Sequence, residues 1–325
     1  MEITIWTWVA FNAFVLGMLA IVLGVFHRNA HEVTVREAGI WSAVWVALAL
    51  AFNFGIYAMW GAEPALQFLA GYLIEKSLSV DNIFVFVMLF SYFAVPAKYQ
   101  HRVLFWGILG ALVMRGLFIA VGAYMLEQFH WVIYLFGAIL VLTGIKMARR
   151  VEAYDPSANP ALALARRLLP LTDRYHGPRF WVKEGGKWVA TPLFLVLLLV
   201  EVTDLVFAID SIPAIFAVTK EPFLVYTANV FAILGLRSMY FLLAGIVHRF
   251  VYLNYGLAAV LVFVGVKMLL VDVFKIPVSV SLAVVAGLIG GAIILSLRRS
   301  GRPLDGADAV GLSAKADAPG TTASP

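Results

Sequence analysis

No cysteine stands anywhere in the 325 residues. Disulfides are thereby excluded, and so are the thiolate metal sites that hold soft or borderline ions. Charge is scarce too. Asp, Glu, Lys and Arg make up 13% of the chain, about half of the ~25% usual in a soluble domain. Histidine is rare, and His27, His31, His101, His130, His176 and His248 all fall near the ends of apolar runs or between them. An imidazole-rich zinc site is therefore not expected. What fills the chain instead is apolar side chain, 62% of all residues. These proportions describe an all-α polytopic membrane protein with no large soluble domain. The net charge of +5 does not point to nucleic acid, because Lys and Arg lie between the apolar runs, where they set orientation. The amino-terminal MEITIWTW is acidic rather than basic and does not read as a cleaved signal peptide.

Nine spans are expected, at about 4–26, 38–59, 64–95, 103–125, 131–148, 192–219, 222–246, 251–270 and 277–297. Each approaches the ~20 apolar residues that a helix needs to cross the hydrocarbon core. Basic residues collect in alternate connections. Arg28 and Arg36 follow the first span, Lys98 and Arg102 the third, and Arg149, Arg150, Arg166, Arg167, Arg174, Arg179, Lys183 and Lys187 the fifth. Arg249 follows the seventh, and Arg298, Arg299 and Arg302 the ninth. This alternation predicts an external amino-terminus and a cytoplasmic carboxyl-terminus.

Spans three to five end in TGIKM (143–147), and spans six to eight end in VGVKM (264–268). Lys146 and Lys267 are 121 positions apart, Arg115 and Arg237 122, and Asp81 and Asp204 123. Three landmarks that share an offset to within two residues indicate an internal repeat. Three spans per copy, an odd number, place the second copy upside down relative to the first, a recurrent transporter plan. The expected organisation is a two-helix segment (1–60), repeat one (61–150), a cytoplasmic loop (151–191), repeat two (192–272), a carboxyl-terminal helix (273–298) and a disordered tail (299–325). Within the loop, ALALARRLLP suggests a short amphipathic helix, and RFWVKEGGKWVAT suggests two strands about a Gly185–Gly186 turn.

Against this background the buried acids stand out. Leu195–Thr219 carries Glu201, Asp204 and Asp210, and Leu66–Val95 carries Glu75 and Asp81. A lone ionised carboxylate at midplane costs about 2.5–3.5 kcal/mol, so five would cost about 12–18 kcal/mol. A bound cation or shared protons would offset that. At 100° per residue, Glu75, Ser79 and Asn82 share a face, while Asp210 falls nearly opposite Glu201. A straight helix cannot aim them all at one ion, so a kink near 209–213 is expected from Pro213, with loosening of the third span at Ser77, Ser79 and Asn82. Oxygen ligands of this kind suit hard divalent ions such as Mn²⁺, Mg²⁺ and Ca²⁺. The competing account is that Lys76, Arg115 and Arg237 pair with the acids and hold the bundle together.

Three stretches carry a resemblance. EKSLSVDNIFVF (75–86), LTDRYHGPRFWVKEGGKWVATPL (171–193) and EVTDLVFAIDSIPAIFAVT (201–219) closely resemble the TerC family of bacterial membrane proteins, including its Alx branch, over about residues 38–297. The family belongs with the lysine-exporter-type transporters, is named for tellurite resistance, and has members that export Mn²⁺. The resemblance implies that Glu75, Asp81, Glu201, Asp204 and Asp210 are the metal-binding acids, with Ser79, Asn82, Thr203, Ser211, Arg115 and Arg237 in support. The expected activity is Mn²⁺ export by alternating access with proton exchange. The protein is not expected to be an enzyme or to hold a tight cofactor, and its expected partners are the ion, protons and lipid. An alternative is a TerC-type assembly or stress-resistance factor, active in tellurite resistance through membrane-protein partners. An intramembrane aspartyl protease is disfavoured, since Asp210 precedes Ser-Ile-Pro and a Gly-x-Gly-Asp signature is absent.

Overall fold

A computed structural model describes residues 3–24, 34–149, 156–245 and 252–300. The tail beyond residue 300 lies outside the described residues, as do Arg28, Arg249 and Arg302 of the orientation argument. Helices α1 (Ile5–Gly24), α2 (Val35–Trp60), α3 (Ala62–Tyr92), α4 (Ala97–Gln128) and α5 (Val132–Arg149) form the first half. Then come α6 (Pro160–Leu168), strands β1 (Trp181–Glu184) and β2 (Lys187–Ala190), α7 (Pro192–Phe216), α8 (Pro222–Leu234), α9 (Leu236–Leu243), α10 (Leu253–Leu269) and α11 (Val278–Ser300). The protein is an all-α polytopic membrane protein. Among the described residues, six segments are long and apolar enough to cross a bilayer: α2, α4, α5, α7, α8 with α9, and most of α11. Helix α3 is long enough at 31 residues but carries Glu75, Lys76 and Asp81.

The layering follows from which helices meet lipid. Helices α3, α7 and α8 form the interior, and in α8 nearly every side chain is buried. Helices α2 and α4 turn Leu50, Phe54, Val113 and Leu117 outward, which carries no penalty where the surrounding solvent is hydrocarbon. Aromatic rings join the amino-terminal pair to the interior. Phe11 and Phe52 pack with Phe223 and Phe231, and Tyr226 donates its hydroxyl to Asn12 at 2.7 Å.

Helices α3 and α7 are continuous in range through the residues where loosening and a kink were expected. Ser77 and Ser79 return their hydroxyls to the carbonyls of Leu73 (2.6 Å) and Glu75 (2.8 Å). Thr203 does the same to Leu199 at 2.8 Å. Such back-bonding satisfies the hydroxyl without displacing the helix ladder. Helix α7 continues through Pro213 to Phe216. The interruption lies instead at Gly235, between α8 and α9. There a Cβ would come within 2.5 Å of Lys76 Nζ.

The segment between α5 and α7 is folded onto the ends of the bundle. Its hairpin turns at Gly185 (φ 55°) and Gly186 (φ 83°), a conformation that favours glycine. Helix α6 starts at an Asn159 cap and buries Leu162 and Ala165, leaving Leu164 and Leu168 exposed. Tyr175 donates to the Phe93 carbonyl at 2.7 Å, and burial pushes its phenol up to about 12. On another connection, exposed Asp272 accepts hydrogen bonds from His130 (2.7 Å) and Tyr134, which hold its carboxyl below the usual range.

Helices α5 and α10 approach closely through small residues. A Cβ on Gly137 would lie 2.9 Å from the Gly265 carbonyl oxygen, and one on Gly265 would lie 2.7 Å from the Gly137 oxygen. One on Gly144 would lie 2.8 Å from the Ala258 oxygen. Backbone cannot yield as a flexible side chain does. Gly137→Ala and Gly265→Ala are each expected to destabilise by about 1–3 kcal/mol. Gly55→Ala, with open space around the site, should leave the thermal midpoint in detergent nearly unchanged.

Candidate cation site

At the centre of the bundle α4 projects one guanidinium between α3 and α7. Arg115 is 2% exposed, Glu75 1% and Asp204 3%. Arg115 Nε donates to Asp204 Oδ2 at 3.0 Å and Nη2 donates to Oδ1 at 2.8 Å, a two-pronged pair. Nη1 donates to Glu75 Oε1 and, at 3.4 Å, to Ser211 Oγ. Asn82 Nδ2 adds a bond to Asp204 Oδ1 at 3.4 Å. The planar fork of arginine matches a carboxylate in this way, which a lysine could not do.

The cluster is left acidic and short of donors. One guanidinium faces two carboxylates. Glu75 Oε2 and Asn82 Oδ1 are buried with no hydrogen-bond partner, and so is Glu201 Oε2. Buried acceptors are nearly always satisfied in native structures, so three orphans in two adjoining helices require an explanation. All are oxygens, and all would accept a hard cation or a proton.

The remaining acids point elsewhere. Glu201 lies one turn before Asp204 and sets its carboxylate against Gly110 of α4. A Cβ at Gly110 would meet that carboxylate, so any larger residue there would push the Glu201 head group aside. Asp210 is half-buried and accepts from Thr143 Oγ1 of α5 at 2.8 Å. Asp81 is half-buried and joins neither cluster. Among the described residues no ion pair links Asp81 to Arg237. Arg237 is 8% exposed, leaves Nη2 without a partner and senses the charge of Glu37 in the first turn of α2.

The structure thus gathers Glu75, Asp204, Arg115, Asn82 and Ser211. Glu201 stands beside this cluster, and Asp210, Asp81 and Arg237 stand apart. Thr203 turns its hydroxyl to its own helix. No group of three or more His, Cys, Asp or Glu side chains is spaced to hold a metal among the described residues. Two contributors escaped sequence reasoning, Gly110 and Thr143. The signal for Thr143 was present, a hydroxyl in the repeated TGIKM motif. Gly110 is one small residue among many, and only the opposing carboxylate marks it.

In Asp204→Ala, Arg115 keeps Glu75 and Ser211, so the charge stays paired, and the two N–H donors that lose their acceptor are expected to cost about 1–3 kcal/mol. Asp210→Ala, which removes the acceptor of one hydroxyl, should cost about 1 kcal/mol. Thermal unfolding of the purified protein in detergent orders the two.

Comparisons with known proteins bear on the same residues. The model of the integral membrane protein TerC family matches residues 60–303, a range that contains Glu75, Asp81, Glu201, Asp204 and Asp210. "Uncharacterized membrane protein STKORF319" of Myxococcus xanthus is 56% identical over 304 residues, covering 93% of this chain and 95% of that protein. "Putative membrane-bound redox modulator Alx" of Escherichia coli (strain K12) is 51% identical, covering 89% and 93%. An "Uncharacterized membrane protein" of Rickettsia felis is 40% identical, covering 90% and 98%. No solved structure matches.

Proposed function

The chain belongs to the integral membrane protein TerC family, and from that premise we propose that it exports a divalent metal cation, Mn²⁺, by alternating access with proton exchange. The observation that carries this reading is the set of orphaned oxygens, Glu75 Oε2, Asn82 Oδ1 and Glu201 Oε2, around a carboxylate pair that a single guanidinium leaves negative. A purely structural cluster would have matched its charges. Oxygen donors favour hard ions. Glu75 and Asp204 are the central pair, and Glu201, Asp81 and Asp210 serve the ion on either side. Tellurite, an anion, would be repelled.

The inverted-repeat plan is supported by the crossing of α5 and α10. At the 121-residue offset Gly137 corresponds to Ala258 and Gly144 to Gly265. The contacts Gly137–Gly265 and Gly144–Ala258 are then one contact written twice, which is what a two-fold axis between antiparallel helices requires. The reading takes α1, α2, α3, α4, α5, α7, α8 with α9, α10 and α11 as nine spans of the inner membrane. The amino-terminus is outside, and the carboxyl-terminus is cytoplasmic with α6 and the hairpin. Moving two positive charges outward against 100 mV costs about 4.6 kcal/mol, at about 2.3 per charge. Entering protons are the natural counter-substrate, because carboxylates that release a metal can take them up.

A second reading, an assembly or stress-resistance factor, draws on the cytoplasmic layer. There Leu164, Leu168 and Trp188 are exposed beside Arg166, Arg167 and Lys187, a surface that could meet a membrane-protein partner. The redox role in the relatives' printed name could not run through thiols in this chain, which has none.

The test is Mn²⁺, Mg²⁺ and Ca²⁺ flux in liposomes that contain only this protein. The parent chain should move Mn²⁺, and collapsing the pH gradient and potential should slow it. Asp204→Asn, inserted and monodisperse like the parent, should lose flux by at least about 10–100-fold, the range for disturbed metal-site shells. Absence of flux in the parent would favour the partner-dependent reading.

A further inference from the structure

We propose that Arg115 is the resident cation of the empty site: a tethered competitor that an incoming divalent ion must displace from Asp204. The proposal rests on the cation-export reading and adds to it the residue that sets affinity and holds the site when no ion is present.

The geometry is that of a bound ion rather than of a peripheral strut. Arg115 is among the largest fully buried side chains, and its guanidinium donates to Asp204, Glu75 and Ser211, all of the candidate ligand shell. Its fork takes both oxygens of Asp204 at 3.0 and 2.8 Å, and its remaining nitrogen takes Glu75 Oε1 and Ser211 Oγ. A divalent ion on Asp204 would stand where the guanidinium stands. Two like charges at contact in a low-dielectric interior repel strongly, so the two occupants exclude one another. Meanwhile Glu75 Oε2 and Asn82 Oδ1 face no donor. They are acceptors that a guanidinium already committed to Asp204 cannot reach, and that a small ion between α3 and α7 would take.

A displaced guanidinium needs a new counter-charge. Long helical side chains lean toward the amino end of their own helix. One turn before Asp204 on α7, toward that end, stands Glu201, whose carboxylate lies against α4 at Gly110 and whose Oε2 has no partner. Arg115 therefore exchanges Asp204 for Glu201 as the ion enters and returns as it leaves. This exchange keeps an empty site from standing open as bare negative charge.

A competitor that occupies the site most of the time lowers the apparent affinity by the fraction of time the site is free. Removing it should tighten binding, whereas removing a structural strut should only loosen the fold. The measurement is Mn²⁺ binding by purified full-length protein in detergent, read from the electron paramagnetic resonance signal of free Mn²⁺, together with the thermal midpoint with and without Mn²⁺. Arg115→Gln should bind Mn²⁺ at least about tenfold more tightly than the parent, as for a site free no more than a tenth of the time. Mn²⁺ should also raise the midpoint of Arg115→Gln further than that of the parent. Should Arg115→Gln not yield folded protein, Arg115→Lys decides: its single-pronged head competes less well, so it should bind more tightly than the parent. Equal or weaker binding by the folded variant, with Mn²⁺ bound by the parent, overturns the proposal and leaves the cation reading standing. No Mn²⁺ bound by either parent or variant overturns both.

Discussion

A guanidinium buried to 2% exposure between two carboxylates constrains everything around it. In the low-dielectric interior none of the three groups can be left alone, because an uncompensated buried charge is among the most destabilising features a fold can carry. Arg115 therefore pins α4 against α3 and α7 at once, through Glu75 and through both oxygens of Asp204. The polar residues beside it follow the same logic. Ser79 and Thr203 satisfy themselves on their own helices, which spares the centre their competition. Ser211 and Asn82 turn inward and complete the shell. What is left over is negative charge and unpaired oxygen.

Close backbone packing makes that charged centre tolerable. Lipid offers no hydrophobic drive for helices to associate, so contact depends on van der Waals fit and small residues. The chain supplies glycine where helices must touch. Gly137, Gly144 and Gly265 let α5 and α10 meet backbone to backbone, and Gly110 gives the Glu201 carboxylate its seat. Gly235 leaves space for Lys76 at the interruption between α8 and α9. The same residue type thus serves both a structural crossing and a functional pocket, and the opposing partner decides which.

The membrane class and the helix positions were legible in advance, because twenty apolar residues in a row have one stable outcome in lipid. The hairpin at Gly185–Gly186 was legible for a local reason as well: two adjacent glycines permit positive φ where few other residues do. Part of the site could also be read. Glu75 and Asp204 were candidate ligands, Arg115 was the candidate counter-charge, and Asn82 and Ser211 were in support. Other features could not be read. Pro213 lies inside α7, yet the helix runs on to Phe216, while the interruption at Gly235, which no proline marks, separates α8 from α9. The five acids were expected to converge, yet Asp210 turns to Thr143 and Glu201 to Gly110. Arg115 and Arg237 stand at matching positions of the sequence pattern, but among the described residues only Arg115 bonds to any of these acids.

Sequence alone settled the membrane class, the approximate helix positions and the presence of costly charge at their middles, since each is a local property of residue type and run length. Which charges meet, which oxygens stay bare and which helices remain closed are not local. They depend on how side chains from three helices, 40 and 89 residues apart in the case of Arg115 with Glu75 and Asp204, share one small volume with no water to take up a mismatch. Only tertiary packing decides that.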